Sequence, residues 1–223
     1  GLAAYTVDVA YDVINRTRTL TYPGSTTDVV ESYDLRDRLL SITDDGQPLL
    51  SNSTYDLADR LSNRNWANGV TSTFTYDPNS WLKTIDHVKA SLNLESLSYG
   101  YDAVGNVSYR KVNTNRRTAF SEIYEYDTLH RLTRFDRGEL NAGNTQVDTP
   151  IGQPFAESRS WDNLDMLGNW LSLTSTVESV ATGETRVANA VNEYTSRQIG
   201  TDPAASLISD DNGNLLDDPT ATV

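Results

Sequence analysis

The side chains of this chain that could do chemistry are few in kind. Cysteine is absent, so thiol catalysis, disulfide scaffolding and Cys-ligated zinc are excluded. The two histidines, His87 and His130, are too few for a His-rich metal site. No G-x-S-x-G, H-E-x-x-H or Walker loop occurs. Glycosidase chemistry needs two carboxylates at a defined separation, and 31 acidic residues nominate no particular pair. What does recur is a carboxylate directly after a phenol. Tyr-Asp stands at Tyr11-Asp12, Tyr33-Asp34, Tyr55-Asp56, Tyr76-Asp77, Tyr101-Asp102 and Tyr126-Asp127. With 12 Tyr and 22 Asp in 223 residues, chance supplies about one such pair. Four positions after each Asp stand Arg16, Arg38, Arg60, Trp81, Asn106 and Arg131.

A row of this kind has two chemical uses. The Asp and Arg side chains could form a binding row, or the carboxylate could cap a turn with a guanidinium beside it. Exposed ion pairs contribute only about 0–1 kcal/mol, so the turn bonds of the Asp matter more. The tyrosines could form a stacking ladder for sugars. Alternatively they pack between neighbouring hairpins as aromatic pairs, each contributing roughly 0.5–1.5 kcal/mol beyond its buried area. Trp161 and Trp170 could be carbohydrate platforms, or could fill space in a core or under an inserted loop.

The elements that carry this row follow from its spacing. The Asp-to-Asp separations are 22, 22, 21, 25 and 25 residues, a period that marks a stacked repeat architecture. Asp suits the first position of a type I turn, where its side chain accepts backbone N–H bonds. The third residue after it falls where a three-residue hairpin loop needs positive φ. Asn15, Asp37, Asp59, Gly105 and His130 are types that tolerate this conformation; Ser80 is the exception. Each unit therefore reads as strand, tight turn, strand. Phe74-Thr75-Tyr76, Tyr99-Gly100-Tyr101 and Tyr124-Glu125-Tyr126 place aromatics two apart, on one face of a strand.

Two weaker copies follow. Asp165 with Gly168, and Asp210 with Gly213, keep the Asp and put Gly at the positive-φ position, but lack the Tyr. The chain thus reads as a single array over 1–223 of about eight repeats, with insertions at about 136–158 and 172–208. Residues 86–98 could hold a short helical turn, and 136–158 read as a long loop. The segment Asp210-Asp211-Asn212-Gly213-Asn214 suggests calcium, but the EF-hand test fails. Ile208 stands where a ligand is needed and Pro219 where the final Glu belongs. The N-x-S/T triplets at Asn15, Asn52 and Asn106 carry little weight.

Composition closes further classes. The net charge of −13 argues against a large nucleic-acid contact, which needs a clustered Lys/Arg surface. No apolar run approaches the roughly 20 residues of a membrane helix. The chain begins at Gly1 without a targeting signal and reads as a mature form or an excised piece.

The unit Tyr-Asp-x-x-(Gly/Asn/Asp)-Arg-Leu resembles the YD-repeat, or Rhs-repeat, family. Tyr99-Gly100-Tyr101-Asp102-Ala103-Val104-Gly105-Asn106 and Tyr124-Glu125-Tyr126-Asp127-Thr128-Leu129-His130-Arg131-Leu132 match its pattern closely. Asn192-Glu193-Tyr194-Thr195 resembles a segment seen between repeats in bacterial members. The resemblance covers about residues 5 to 217. It implies an all-β fold of tandem antiparallel hairpins joined into a continuous spiralling sheet, a partial shell or solenoid-like array. In larger members that sheet encloses a polypeptide, as in bacterial Rhs and Tc-type toxins; in teneurins it forms an adhesion module. The aspartyl autoprotease pattern of Rhs cores, Asp-Pro-x-Gly-x-x-Asp-Gly, is not matched. Asp202-Pro203 and Asp218-Pro219 are followed by Ala204-Ala205 and Thr220-Ala221.

The expectation is a non-enzymatic structural β-repeat scaffold from a larger secreted or cell-surface bacterial protein, with no cofactor or metal. Its partners would be neighbouring repeats or further copies, with assembly into fibres open through the sheet edges. Two alternatives stand: a fragment of an Rhs/Tc-type shell around an encapsulated polypeptide, and a glycan-binding adhesion module using Trp161 and Trp170.

Overall fold

The computed structural model describes residues 6–113, 121–148, 156–177, 180–211 and 213–218. Every regular element among them is a β-strand, and the strands pair antiparallel in chain order. No helix among the described residues is long and apolar enough to cross a membrane.

The chain forms two compact units. The first comprises Gly1–Ser98 with Asn113–Arg117, and the second Tyr99–Val112 with Thr118–Val223. The first contains β1 (Asp8–Asp12), β2 (Thr17–Thr21), β3 (Asp28–Tyr33), β4 (Leu39–Asp44), β5 (Gln47–Tyr55), β6 (Leu61–Trp66), β7 (Val70–Tyr76), β8 (Leu82–Lys89) and most of β9 (Leu92–Tyr101). The second takes the end of β9 and continues through β10 (Val107–Asn113), β11 (Ser121–Tyr126), β12 (Leu132–Gly138), β13 (Glu157–Leu164), β14 (Trp170–Val177), β15 (Val180–Ala188), β16 (Tyr194–Ile199) and β17 (Ala205–Ser206). A separate two-stranded ribbon joins β18 (Ile208–Ser209) to β19 (Leu215–Asp217). The sequence carries no composition shift where the units divide, because the same hairpin unit stands on either side: Tyr76-Asp77 before and Tyr101-Asp102 after.

Residues 86–98 are two strands and not a helical turn. Lys89 pairs with Leu92, and Ala90 and Ser91 make the two-residue connection with φ of 47° and 68°. Both central residues of a type I′ hairpin turn require such angles, and the usual pair is Asn-Gly or Asp-Gly. Ala-Ser is neither, which is why the hairpin cannot be read from residue types.

The segments read as insertions contain ordered structure. In 172–208 lie β15 and β16, joined through Asn189, whose backbone N–H donates to the Glu193 carbonyl at 2.9 Å. Asn192 has φ of 69°. This is the repeat's own turn with Ala188 for Tyr, Asn189 for Asp and Glu193 for Arg. In 136–158, β12 ends at Gly138, Leu140 bridges Val147, and β13 begins at Glu157; residues 149–155 lie outside the described residues.

The buried interior is small. Among the described residues the buried apolar side chains are Leu50, Val112 and Ile123, beside buried Ser53, Ser72, Ser121, Glu122 and Asp136. Most strand residues are half-buried. Hydrogen-bonded ladders and side-chain contacts between strands therefore carry much of the order that a thick apolar core carries elsewhere. Strand packing is close where it matters. A Cβ on Gly100 would lie 2.0 Å from Cε1 of Tyr109, so the ring lies directly over that glycine.

Candidate functional site

The repeated turn has one dominant geometry. At Asp34 the backbone N–H donates to the Arg38 carbonyl at 2.9 Å, and the Asp37 N–H donates back to the Asp34 carbonyl at 3.0 Å. The side-chain Oδ1 of Asp34 accepts the N–H groups of Arg36 and Arg38 at 2.8 and 3.0 Å. Its Oδ2 accepts Nε of Arg38 at 2.8 Å. Asp56 repeats this with Ala58 and Arg60, and Asp127 with Leu129 and Arg131. At Asp102, Asp165 and Asp210 the Oδ2 partner is Nδ2 of Asn106, Asn169 and Asn214. Asn212, in the last of these turns, lies outside the described residues.

The third residue after the Asp has positive φ in each of these turns: 58° at Asp37, 63° at Asp59, 97° at Gly105, 62° at His130, 91° at Gly168 and 80° at Gly213. Ser80 takes φ of 70° although its type gives no reason to expect it; its N–H donates to the Asp77 carbonyl at 3.0 Å like the others. The strand register shifts beside the turn, between Ser32 and Tyr33 and again between Thr54 and Tyr55. That is the bulge a three-residue hairpin loop produces. The first turn differs. Positive φ falls on Arg16 (52°) instead of Asn15, and Nδ2 of Asn15 occupies Oδ2 of Asp12 at 2.7 Å.

These bonds fix the charge of the turn aspartates. The Arg38 side-chain bond, with its backbone N–H, lowers the Asp34 carboxyl to about 2. The Arg60 side chain lowers Asp56, and the Asn169 amide lowers Asp165. At Asp127 the Arg131 backbone N–H is the largest cause.

Successive hairpins are joined through the tyrosines. The sequence suggests rings packed on rings; the structure has such pairs, Tyr124 with Phe135 at 5.8 Å and Trp170 with Tyr194 at 6.2 Å, and at Tyr55 and Tyr76 it lays a guanidinium on the ring. The Arg38 guanidinium stands 4.3 Å above the Tyr55 ring, and that of Arg60 stands 4.4 Å above Tyr76. The Tyr55 hydroxyl donates to the Leu39 carbonyl at 2.8 Å, and the Tyr76 hydroxyl to the Leu61 carbonyl at 2.9 Å. Arg38 Nη1 also reaches Oδ1 of Asp59 at 2.6 Å. One arginine therefore caps its own turn, covers the next tyrosine and pairs with the next turn. In the second unit Arg186 stands 3.9 Å over Trp170 and 4.9 Å over Tyr194, while the Tyr194 hydroxyl donates to the Trp170 carbonyl at 3.2 Å. Trp170 is thus engaged in this junction. Trp161 is half-buried on β13 beside a register shift. The structure does not bring the two together by any described contact.

A second polar feature crosses β10 to β13. Buried Glu122 accepts Nε of Arg110 at 2.8 Å and the hydroxyl of Tyr124, and pairs with Arg137 at 3.4 Å. Arg137 reaches Glu157, which pairs with Arg159 at 2.6 Å. Burial opposes the charge on Glu122, but the Arg110 and Tyr124 bonds overcome it and hold its pKa low. Burial and the Glu122 bond push the Tyr124 phenol up to about 12. Arg18, Glu31 and Tyr33 form a smaller version in the first unit. Such pairs position strands. Among the described residues no group of His, Asp and Glu is assembled to hold a metal ion.

No family model and no curated protein sequence matches the chain. Solved structures do. A chain of the TcdB2-TccC3-Cdc42 crystal structure aligns with TM-score 0.66 at 18% identity, over 95% of this chain and 12% of its own length. A chain of the Photorhabdus luminescens Tc holotoxin pore aligns with TM-score 0.67 at 18% identity, over 98% of this chain and 12% of its own. The TcdB2-TccC3 structure without its hypervariable C-terminal region gives 0.67 at 19%, with the same coverage. The chain therefore spans about an eighth of the length of these neighbours. It has the hairpin-repeat fold of a segment of the Tc toxin chains.

Proposed function

We propose that this chain is a non-enzymatic wall segment of a larger secreted Tc- or Rhs-type toxin protein, in which the hairpin sheet encloses a polypeptide. The fold likeness over 95–98% of the chain to Tc toxin chains carries this reading. The inter-hairpin junctions support it, because they add strands indefinitely without needing a thick core.

The test uses the full-length gene product. Limited proteolysis before and after denaturation reads whether a segment outside the repeats is protected only in the folded state. A protected segment released on denaturation, with cryo-EM density inside a closed sheet, is the expected result. An open sheet with every segment equally cleavable would leave a surface scaffold as the better account.

A further inference from the structure

A cleft of about 460 Å³ lies between the first two hairpins, bordered by Tyr11, Asp12, Arg16, Thr17, Tyr33 and Asp37. Its volume is that of a small-ligand site. Its meaning comes from the next junction along the chain. There Arg38 is held by three residues: Oδ2 of Asp34 at 2.6 Å, Oδ1 of Asp59 at 2.6 Å, and the Tyr55 ring at 4.3 Å. The residues in the same three repeat positions one hairpin earlier are Asp12, Asp37 and Tyr33, and all three border the cleft.

The side chain that would fill it is displaced. Asn15 takes Oδ2 of Asp12, and positive φ moves on to Arg16. Arg16 still reaches Oδ1 of Asp37 at 2.5 Å, but among the described residues no guanidinium stands over the Tyr33 ring. The Tyr33 hydroxyl turns to Glu31 at 2.5 Å instead of a strand carbonyl. Tyr11 is 71% exposed on the other side, with the Arg18 side chain bonded to it. With Arg18 and Glu31, which pair beside Tyr11 and Tyr33, three carboxylates against two arginines leave the surroundings of the cleft net negative.

We propose that this cleft binds the guanidinium of an arginine side chain presented by another polypeptide segment, held over Tyr33 and between Asp12 and Asp37. The fold itself makes the same three-point contact at Arg38. Arginine suits it better than lysine because its planar group stacks on a ring while its N–H fork meets carboxylates.

The experiment titrates the 223-residue chain with N-acetylarginine methylamide, and in parallel with the isosteric neutral N-acetylcitrulline methylamide, following backbone amide shifts by NMR. The arginine probe is expected to give saturable shifts confined to residues 11–17 and 33–37, and the citrulline probe none there. Tyr33→Leu should weaken binding roughly two- to five-fold, the worth of an exposed cation–π contact. Asn15→Gly should abolish binding, because Gly at the third turn position lets Arg16 re-enter the strand and fill the cleft from within. Amide dispersion reads folding in each variant, and Asp37→Asn replaces Tyr33→Leu should that variant unfold. Equal shifts with both probes, shifts spread without saturation, or binding undiminished in Asn15→Gly would overturn the proposal.

Discussion

The Tyr55 hydroxyl donates to the Leu39 carbonyl at 2.8 Å, a bond from the end of one hairpin strand to the start of the preceding one. Tyr76 does the same to Leu61. At these two junctions the tyrosine of the motif closes its turn onto the preceding one, and the arginine of that preceding turn covers its ring. Tyr55→Phe keeps the ring under Arg38 and removes only the hydroxyl. It should lower unfolding free energy by about 1 kcal/mol. Tyr55→Ala should cost more, because the guanidinium loses its platform as well. Urea unfolding of both variants checks the order.

The turn aspartates make stability acid-sensitive. The folded pKa of Asp34 is depressed to about 2, against an ordinary value of about 3.9. A depressed carboxyl adds stability fully above the unfolded value and loses it as pH falls through the folded one. Asp56, Asp127 and Asp165 shift the same way. The urea midpoint should hold steady near neutrality and fall as pH drops from about 4 to about 2. These carboxylates are half-buried and still in reach of solvent ions, so added salt should blunt the fall in part. A midpoint unchanged at pH 3 would contradict the assignment.

Ala90 and Ser91 both sit at positive φ without being glycine or asparagine. Left-handed backbone costs an ordinary residue roughly 1 kcal/mol. Replacing the pair with Asn-Gly matches the I′ turn. The double variant should gain about 1 kcal/mol by urea unfolding. The gain should appear in amide exchange first at β8 and β9.

Glu122 is 7% exposed and joins Arg110, Tyr124 and Arg137. Glu122→Gln keeps the shape, removes the charge and leaves two arginines facing each other. It should destabilise the second unit by about 2 kcal/mol, the scale of hydrogen bonds to a charged group. The same change should lower the Tyr124 phenol from about 12, because the carboxylate that holds its proton is gone. Urea unfolding reads the loss of stability, and spectrophotometric titration at alkaline pH, with Tyr124→Phe identifying the phenol, reads the shift.

The repeat was legible in the sequence because its turn is local. Asp, the residue three later and the residue four later lie within one turn, and their types report the hydrogen bonds and φ they must satisfy. That local chemistry determines an all-β chain of tandem hairpins at a 21- to 25-residue period. The turn at Asn189 is not legible in the residue types, since Ala188 and Asn189 replace both signature residues; its backbone bonds are those of the other turns, while the side-chain bond runs the other way, from Nδ2 of Asn189 to Glu193. The hairpin at Ala90-Ser91 escaped since neither residue favours the angles it adopts.

Only the tertiary structure decided what lies between hairpins. Whether a tyrosine meets another tyrosine or an arginine depends on how antiparallel strands 16 residues apart are laid side by side, as for Tyr55 and Leu39. The displaced Arg16 is the clearest case. Asn15 and Arg16 fit the motif by type, yet the competition for Oδ2 of Asp12 moves the positive φ by one residue and opens the cleft. A contest between two donors for one carboxylate oxygen is settled by distances, and residue order does not contain them.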